Sequence, residues 1–130
     1  DLHLNGELVT VVTIPEGVTE IKNYAFEGCS SLISVTIPDS VTTIEEDAFY
    51  NCTSLNRIYI PASVTTIGKH ALGYHDSIET FGESYDLIED FTIQGYKNTA
   101  AEIYAKENGI EFEDLTFADH YMFEKVLQNH

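Results

Sequence analysis

At 130 residues the chain suits one domain of ordinary size, long enough to bury a core without metals or disulfide staples. Six Lys and Arg stand against 22 Asp and Glu, a formal net charge of −16, and a surface so negative repels phosphate backbones and anionic lipid heads, which excludes nucleic acid and membrane surfaces as direct partners. With 43% hydrophobic residues the chain is not a disordered acidic tail, and its longest apolar runs fall far short of a bilayer span.

The start, at Asp1, carries no Met, charged n-region or apolar h-region, and reads as a mature fragment or excised module whose targeting signal lies elsewhere. Leu2-His3-Leu4-Asn5-Gly6-Glu7-Leu8-Val9 alternates on either side of Asn-Gly. Both turn residues tolerate positive φ, so residues 1–12 are expected to form a capping hairpin running into the first strand of a repeat array. The competing reading is a worn repeat.

The array itself has a period of 23 residues. Val12-Thr13-Ile14-Pro15 returns as Val35-Thr36-Ile37-Pro38 and as Ile58-Tyr59-Ile60-Pro61. In step with it, Val18 and Ile21 return as Val41 and Ile44, then Val64 and Ile67, while Ala25-Phe26 returns as Ala48-Phe49 and Ala71-Leu72. A unit this small cannot bury its own apolar face and must stack on copies of itself, which makes a solenoid. Leu32, Val35 and Ile37 carry strand alternation at the end of L-x-x-V-x-I. Pro38 lacks an N–H and ends that ladder. Val41 and Ile44 make a second inward-pointing extended stretch, and Ala48-Phe49 closes the coil. One turn of 3₁₀ or α-helix is expected there, with Glu45, Glu46 and Asp47 at its start.

The pattern from Cys29-Ser30-Ser31-Leu32 through Val35, Ile37-Pro38, Val41 and Ile44 to Ala48-Phe49 resembles the BspA-like, or Treponema-type, leucine-rich repeats of bacterial surface proteins. The resemblance covers about residues 8 to 94. It implies an α/β leucine-rich repeat solenoid: a right-handed, β-rich, curved stack with a parallel sheet on its concave side. It also implies secretion or surface display, adhesion or protein binding, and no catalytic residues or cofactors.

Beyond the third coil the phase slips. The strand due at residue 81 is matched at Phe91-Thr92-Ile93, so 79–90 reads as an inserted loop. Asn98 or Thr99 then caps a helix from Ala100 to Glu107, which Asn108-Gly109 stops. Ile103 and Tyr104, with Ala100 or Ala101, are expected to face the last coil. Ile110, Phe112 and Leu115 suggest one more strand, and the segment from Ile93 to Phe112 resembles the terminal cap of such arrays. The chain thus divides into a solenoid with its hairpin and insertion (1–94), a helix-containing cap (95–115) and a tail (116–130). In the tail Phe117, Tyr121, Val126 and Met122 suggest the apolar side of a short helix.

Chemistry-bearing motifs are sparse. Cys29 and Cys52 occupy equivalent positions one repeat apart. Stacked coils would hold their Cβ atoms parallel and about 4.8 Å apart, against about 3.8 Å in a disulfide. The expectation is two buried free thiols. His75 stands where a third coil would place Cys, but an in-register ladder does not converge on zinc. Gly82-Glu83-Ser84 begins like a nucleophile elbow without its second Gly or preceding core strand. Asp76, Glu79, Glu83, Asp86, Glu89 and Asp90 offer hard oxygen ligands for calcium at spacings unlike an EF-hand, and solvated acidic loops are commoner. Asn51-Cys52-Thr53 is formally a glycosylation sequon around a buried Cys.

A protein partner is expected at the outward x positions of L-x-x-V-x-I. These are Thr10, Val11 and Thr13, then Ile33, Ser34 and Thr36, then Asn56, Arg57 and Tyr59. The candidate ligand-binding patch is Ile33, Ser34, Thr36, Asn56, Arg57 and Tyr59. Arg57, the lone Arg, lies beside Tyr59, and both are hot-spot residue types. Alternatively, Thr and Tyr are merely good strand-surface residues and Arg57 is solvated. At the level of the whole chain, a structural spacer displaying other modules stands as the second reading.

Overall fold

The computed structural model describes residues 3–4, 7–77 and 85–116. Strands β1 (His3–Leu4) and β2 (Glu7–Leu8) form the antiparallel hairpin that Asn-Gly signals, with His3 opposite Leu8. Three coils come next, each built from two short strands. They are β3 (Val11–Thr13) with β4 (Glu20–Ile21), β5 (Ser34–Thr36) with β6 (Thr43–Ile44), and β7 (Arg57–Tyr59) with β8 (Thr66–Ile67). Between the two strands of a coil, the carbonyls of Pro15, Pro38 and Pro61 accept from the N–H groups of Val18, Val41 and Val64. Each Pro holds the first position of such a turn, where its missing N–H ends the strand ladder.

The repeat becomes register. Val12 lies opposite Val35, and Ile21, Ile44 and Ile67 form one continuous row in the parallel sheet β4-β6-β8. Phe26 and Phe49 stack with ring centroids 5.1 Å apart and planes 7° from parallel. The middle coil is therefore dry: Leu32, Val41, Ile44 and Ala48 are fully buried. The first strands do not form one sheet, however. β3 pairs β5, and β7 pairs a strand later in the chain, with no ladder joining β5 to β7 among the described residues.

The expected helical turn at Ala48-Phe49 is replaced by a chain of tight turns. Ala48, Tyr50 and Cys52 donate to the carbonyls three residues back, at Glu45, Asp47 and Phe49. The residues between them, Asp47, Phe49 and Asn51, donate instead to Lys69, Ala71 and Tyr74 of the next coil. Left-handed backbone at Asp47 and Asn51 breaks helical continuity and aims alternate N–H groups sideways. The same conformation recurs at Tyr24 and His70, 23 residues to either side of Asp47.

The phase slip is present, but the inserted segment is more than a loop. β9 (Tyr74–Asp76) pairs antiparallel with β10 (Tyr85–Leu87) to make a lateral arm, while 78–84 lie outside the described residues. Then β11 (Thr92–Gly95) rejoins the stack, with Ile93 opposite Ile58. Helix α1 (Ala100–Asn108) and β12 (Glu111–Asp114) complete the fold, Phe112 lying opposite Ile93 in the parallel sheet β7-β11-β12. Gly109 ends the helix in the left-handed conformation, as its position after Asn108 suggests.

At the other end of α1, Thr99 occupies the cap position without a capping bond. Its hydroxyl donates back to Tyr96, and Glu102 accepts from the N–H of Asn98 instead. The buried helix face is Ala101, Tyr104 and Ala105. The Tyr104 hydroxyl both donates to the Leu72 carbonyl (2.7 Å) and accepts from the Leu72 N–H (3.1 Å), which fastens the helix to the third coil. Ile103, expected to face that coil, is 54% exposed. One residue along a helix is a rotation of about 100°, so seating Tyr104 turns Ile103 outward. The anticipated tail helix around Phe117, Tyr121, Met122 and Val126 lies outside the described residues.

Candidate functional site

The sheet face away from the core gathers side chains from every coil. Val11 (60% exposed), on β3, and Ile33 (59%), immediately ahead of β5, are bare aliphatic groups at the β3-β5 pair. Ile33 turns outward because it and Ser34 both donate to one carbonyl, that of Thr10, which kinks the entry to β5. Ser34 and Thr36 are exposed beside it. On β7, Arg57 is exposed, Tyr59 is half-buried and Asn56 is exposed just ahead of the strand. Five of the six predicted patch residues are thus exposed and Tyr59 is half-buried, and they straddle the division between β5 and β7.

Arg57 is not simply solvated. Its Nη1 lies 3.1 Å from Glu113 Oε2, an oxygen that also accepts from Gln94 Nε2 at 2.9 Å. Arg57, Gln94 and Glu113 sit on β7, β11 and β12, so three strands hold one polar cluster. An exposed pair of this kind adds about 0–1 kcal/mol to stability. Its larger consequence is that the guanidinium is tethered to β12. Tyr59 meets Tyr96 edge-on at 6.3 Å. Gln94, Tyr96 and Glu113 fall outside the predicted patch, because only the folded register brings residues 19 to 56 positions apart into line.

On another flank, the arm docks through aromatic rings. His70 stacks on Tyr85 at 3.9 Å and meets Tyr74 edge-on at 4.7 Å, while Tyr50 meets Tyr85 at 5.4 Å. Tyr50 donates to Asp76, and Asn51 holds the same residue by Nδ2–H to Oδ2 (3.1 Å) and by accepting from its N–H (2.8 Å). Those hydrogen bonds lower the Asp76 carboxyl below its usual range. Asp76, first of the six candidate calcium ligands, is therefore engaged by protein donors. Asp86, Glu89 and Asp90 are exposed, while Glu79 and Glu83, with Gly82 and Ser84, lie outside the described residues. Between α1 and the edge strand β8 runs a groove of about 450 Å³ lined by Val64, Ile67, Ala100 and Ile103.

Cys29 and Cys52 are free and buried, and the Cys52 thiol donates to the Phe26 carbonyl at 3.1 Å. Burial pushes the Cys52 thiol up to about 12. His75, in strand β9, contacts the Asp76 carbonyl through Nδ1 rather than pointing toward the thiols. Among the described residues no three His, Cys, Asp or Glu side chains gather as a metal site, and no helix is long and apolar enough to cross a membrane.

A family model described as the BspA type leucine rich repeat region matches residues 5–124 in six copies, a longer stretch than the 8–94 over which the sequence pattern is plain. No curated protein matches significantly. Among solved structures, a leucine rich cell surface protein from Faecalibacterium prausnitzii A2-165 is 35% identical, with a TM-score of 0.44. The alignment covers 71% of this chain and 31% of that one, so the chain spans about a third of its length.

Proposed function

The chain belongs to the BspA-type leucine rich repeat family, and from that premise we propose that it is a non-catalytic protein-binding module of a secreted or cell-surface protein. Repeats of this family are generally non-catalytic, and leucine-rich repeat modules commonly bind proteins. The observation that supports the reading best is the pair of exposed aliphatic side chains at the β3-β5 pair, Val11 on β3 and Ile33 immediately ahead of β5. The pre-positioned Arg57 and Tyr59 lie on the next coil. Aliphatic groups in water invite burial, and an arginine already held in one conformation loses little entropy on contact. The net charge of −16 favours a partner with a basic rim and an on-rate that falls with salt.

The test is capture from extracellular and cell-wall protein mixtures, followed by affinity measurement on the purified partner. An Ile33→Asp variant and an Arg57→Ala/Tyr59→Ala double variant should each bind at least about tenfold more weakly. Equal binding by wild type and both variants would exclude this face.

A further inference from the structure

The groove between α1 and β8 leaves apolar groups uncovered on both of its walls. Ile21 and Ile44 are buried, but Ile67, at the same rung position on the outer strand of the β4-β6-β8 sheet, is only half-buried. On the helix wall, Ile103 is 54% exposed.

The main chain of β8 is uncovered as well. In the strands ahead of it, the Thr19 and Ile21 carbonyls accept from Thr42 and Glu45, and those of Thr42 and Ile44 accept from Thr65 and Gly68. The 23-residue register carries this series to the carbonyls of Thr65 and Ile67. No backbone N–H among the described residues donates to either. Such acceptors match the N–H groups of extended chain laid along a sheet edge, since a helix uses its N–H groups internally.

The path of the chain after β12 points to the occupant. The Thr116 hydroxyl accepts from the Lys97 N–H at 3.1 Å, and Lys97 directly precedes Asn98, Thr99 and Ala100, which line one end of the groove. Thr116 thus hands the chain on beside that end, and residues 117–130 carry Phe117, Tyr121, Met122, Phe123, Val126 and Leu127. Extended chain from Thr116 to Tyr121 spans up to about 17 Å, whereas Ile103 lies only about 4.5 Å along the helix from Ala100.

The direction fits too. Ile60, just ahead of the β8 wall, lies against Gly95, as does Ala101. Leu72, just beyond that wall, is bonded to Tyr104. β8 and α1 therefore run the same way, and chain entering beside Asn98 runs parallel to β8, the sense of every pairing in that sheet. Among the lining residues only Glu107 is charged. Lys125 follows Phe123 on the same side of a strand, about 6.6 Å further on, and Glu107 follows Ile103 by about 6 Å.

We propose that residues 120–125 of this chain's own tail occupy the groove as an added parallel strand on β8. Tyr121 and Phe123 cover Ile67 and Ile103, Lys125 meets Glu107, and the tail's N–H groups serve the Thr65 and Ile67 carbonyls. The back edge of the sheet is then closed from within the molecule, and a partner gains that edge only by displacing the tail.

Amide exchange and methyl-to-ring contacts in the 130-residue chain test this. At least two amides within 120–125 should exchange at least about tenfold more slowly than in the free peptide 117–130, and the Ile67 and Ile103 methyls should contact the Tyr121 or Phe123 ring. Ile103→Asp, at an exposed helix position, should restore peptide-like exchange at 120–125 while Gly68, bonded to Ile44, stays protected. Peptide-like rates at 120–125 in the wild type, with Gly68 protected, would overturn the proposal. So would protection that survives Ile103→Asp, because the tail would then lie elsewhere. Protection that vanishes on dilution would overturn it as well, because a second copy would then supply the strand.

Discussion

Replacing Asp47 by Asn tests the reading of the turn ladder most directly. Asp47 is 9% exposed, its Oδ1 is buried without a hydrogen-bond partner, and its backbone φ is 57°. Burial first, then the Glu46 carboxylate, raises its carboxyl above the usual range, and only His70 acts in the opposite sense. Asn keeps the shape and tolerates the left-handed backbone equally well, while removing the charge. An unsatisfied buried polar group costs about 1–3 kcal/mol, and the neutral amide still bears part of that. The expected gain at pH 7 is therefore about 1 kcal/mol, or a Tm roughly 3–5 °C higher.

The sign with pH follows from the raised carboxyl. The folded state binds the proton more tightly than the unfolded one, so the wild-type penalty is present above the folded pKa. It is relieved as pH falls toward the unfolded value near 3.9. The advantage of Asp47→Asn over wild type should accordingly shrink on acidification and be gone below about pH 4. Urea unfolding of both proteins from pH 7 to pH 3.5 measures it, and the difference between them cancels the remaining carboxylates. A variant less stable at pH 7, or a gain that does not change with pH, would refute the argument. Asp47→Ala should instead lose about 1–2 kcal/mol relative to Asn, from the left-handed backbone.

Other substitutions probe the stacking itself. A Cβ at Gly68 would lie 2.4 Å from the Glu46 backbone nitrogen, so Gly68→Ala must push the second and third coils apart and should cost more than about 3 kcal/mol by denaturant unfolding. Phe49→Ala removes a fully buried ring stacked on Phe26 and should cost about 3–5 kcal/mol. Phe26→Ala should cost clearly less, because its ring is only partly covered. Cys52, 1% exposed with its thiol pushed up to about 12, should resist thiol reagents at pH 8 in the native state and react at once in denaturant. Rapid native labelling at Cys52 would contradict its placement.

Much of the fold is legible in the sequence because the information is local and periodic. Val35, Ile37, Val41, Ile44 and Phe49 each recur at one spacing, and that spacing alone dictates the rows seen as Ile21–Ile44–Ile67 and Phe26–Phe49. The stop at Gly109 is equally plain, since one residue's backbone freedom decides it. The left-handed rung is not, because Tyr24, Asp47 and His70 share a conformation and no chemistry. The arm looks like a loop in sequence because its strands, Tyr74–Asp76 and Tyr85–Leu87, are only three residues long and the second falls out of the 23-residue phase; their pairing is held by rings and by Asp76. In the outward patch, Ile33, Ser34, Thr36, Asn56, Arg57 and Tyr59 follow from position in the repeat. Glu113 and Gln94, the partners that hold Arg57, depend on how far the phase slip displaced the fourth strand.

The interrupted ladder between β5 and β7 has a mechanical consequence. The β4-β6-β8 flank is bonded without a break, and the turns of the second coil are bonded to those of the third. A bending load on the molecule therefore concentrates its strain at one seam on one side. There the rows bearing Ile33 and Arg57 can spread or close by small rotations that break no hydrogen bond of the sheet. The compliance of the molecule is thus directional, soft across the face that carries the exposed aliphatic groups and stiff on the flank opposite.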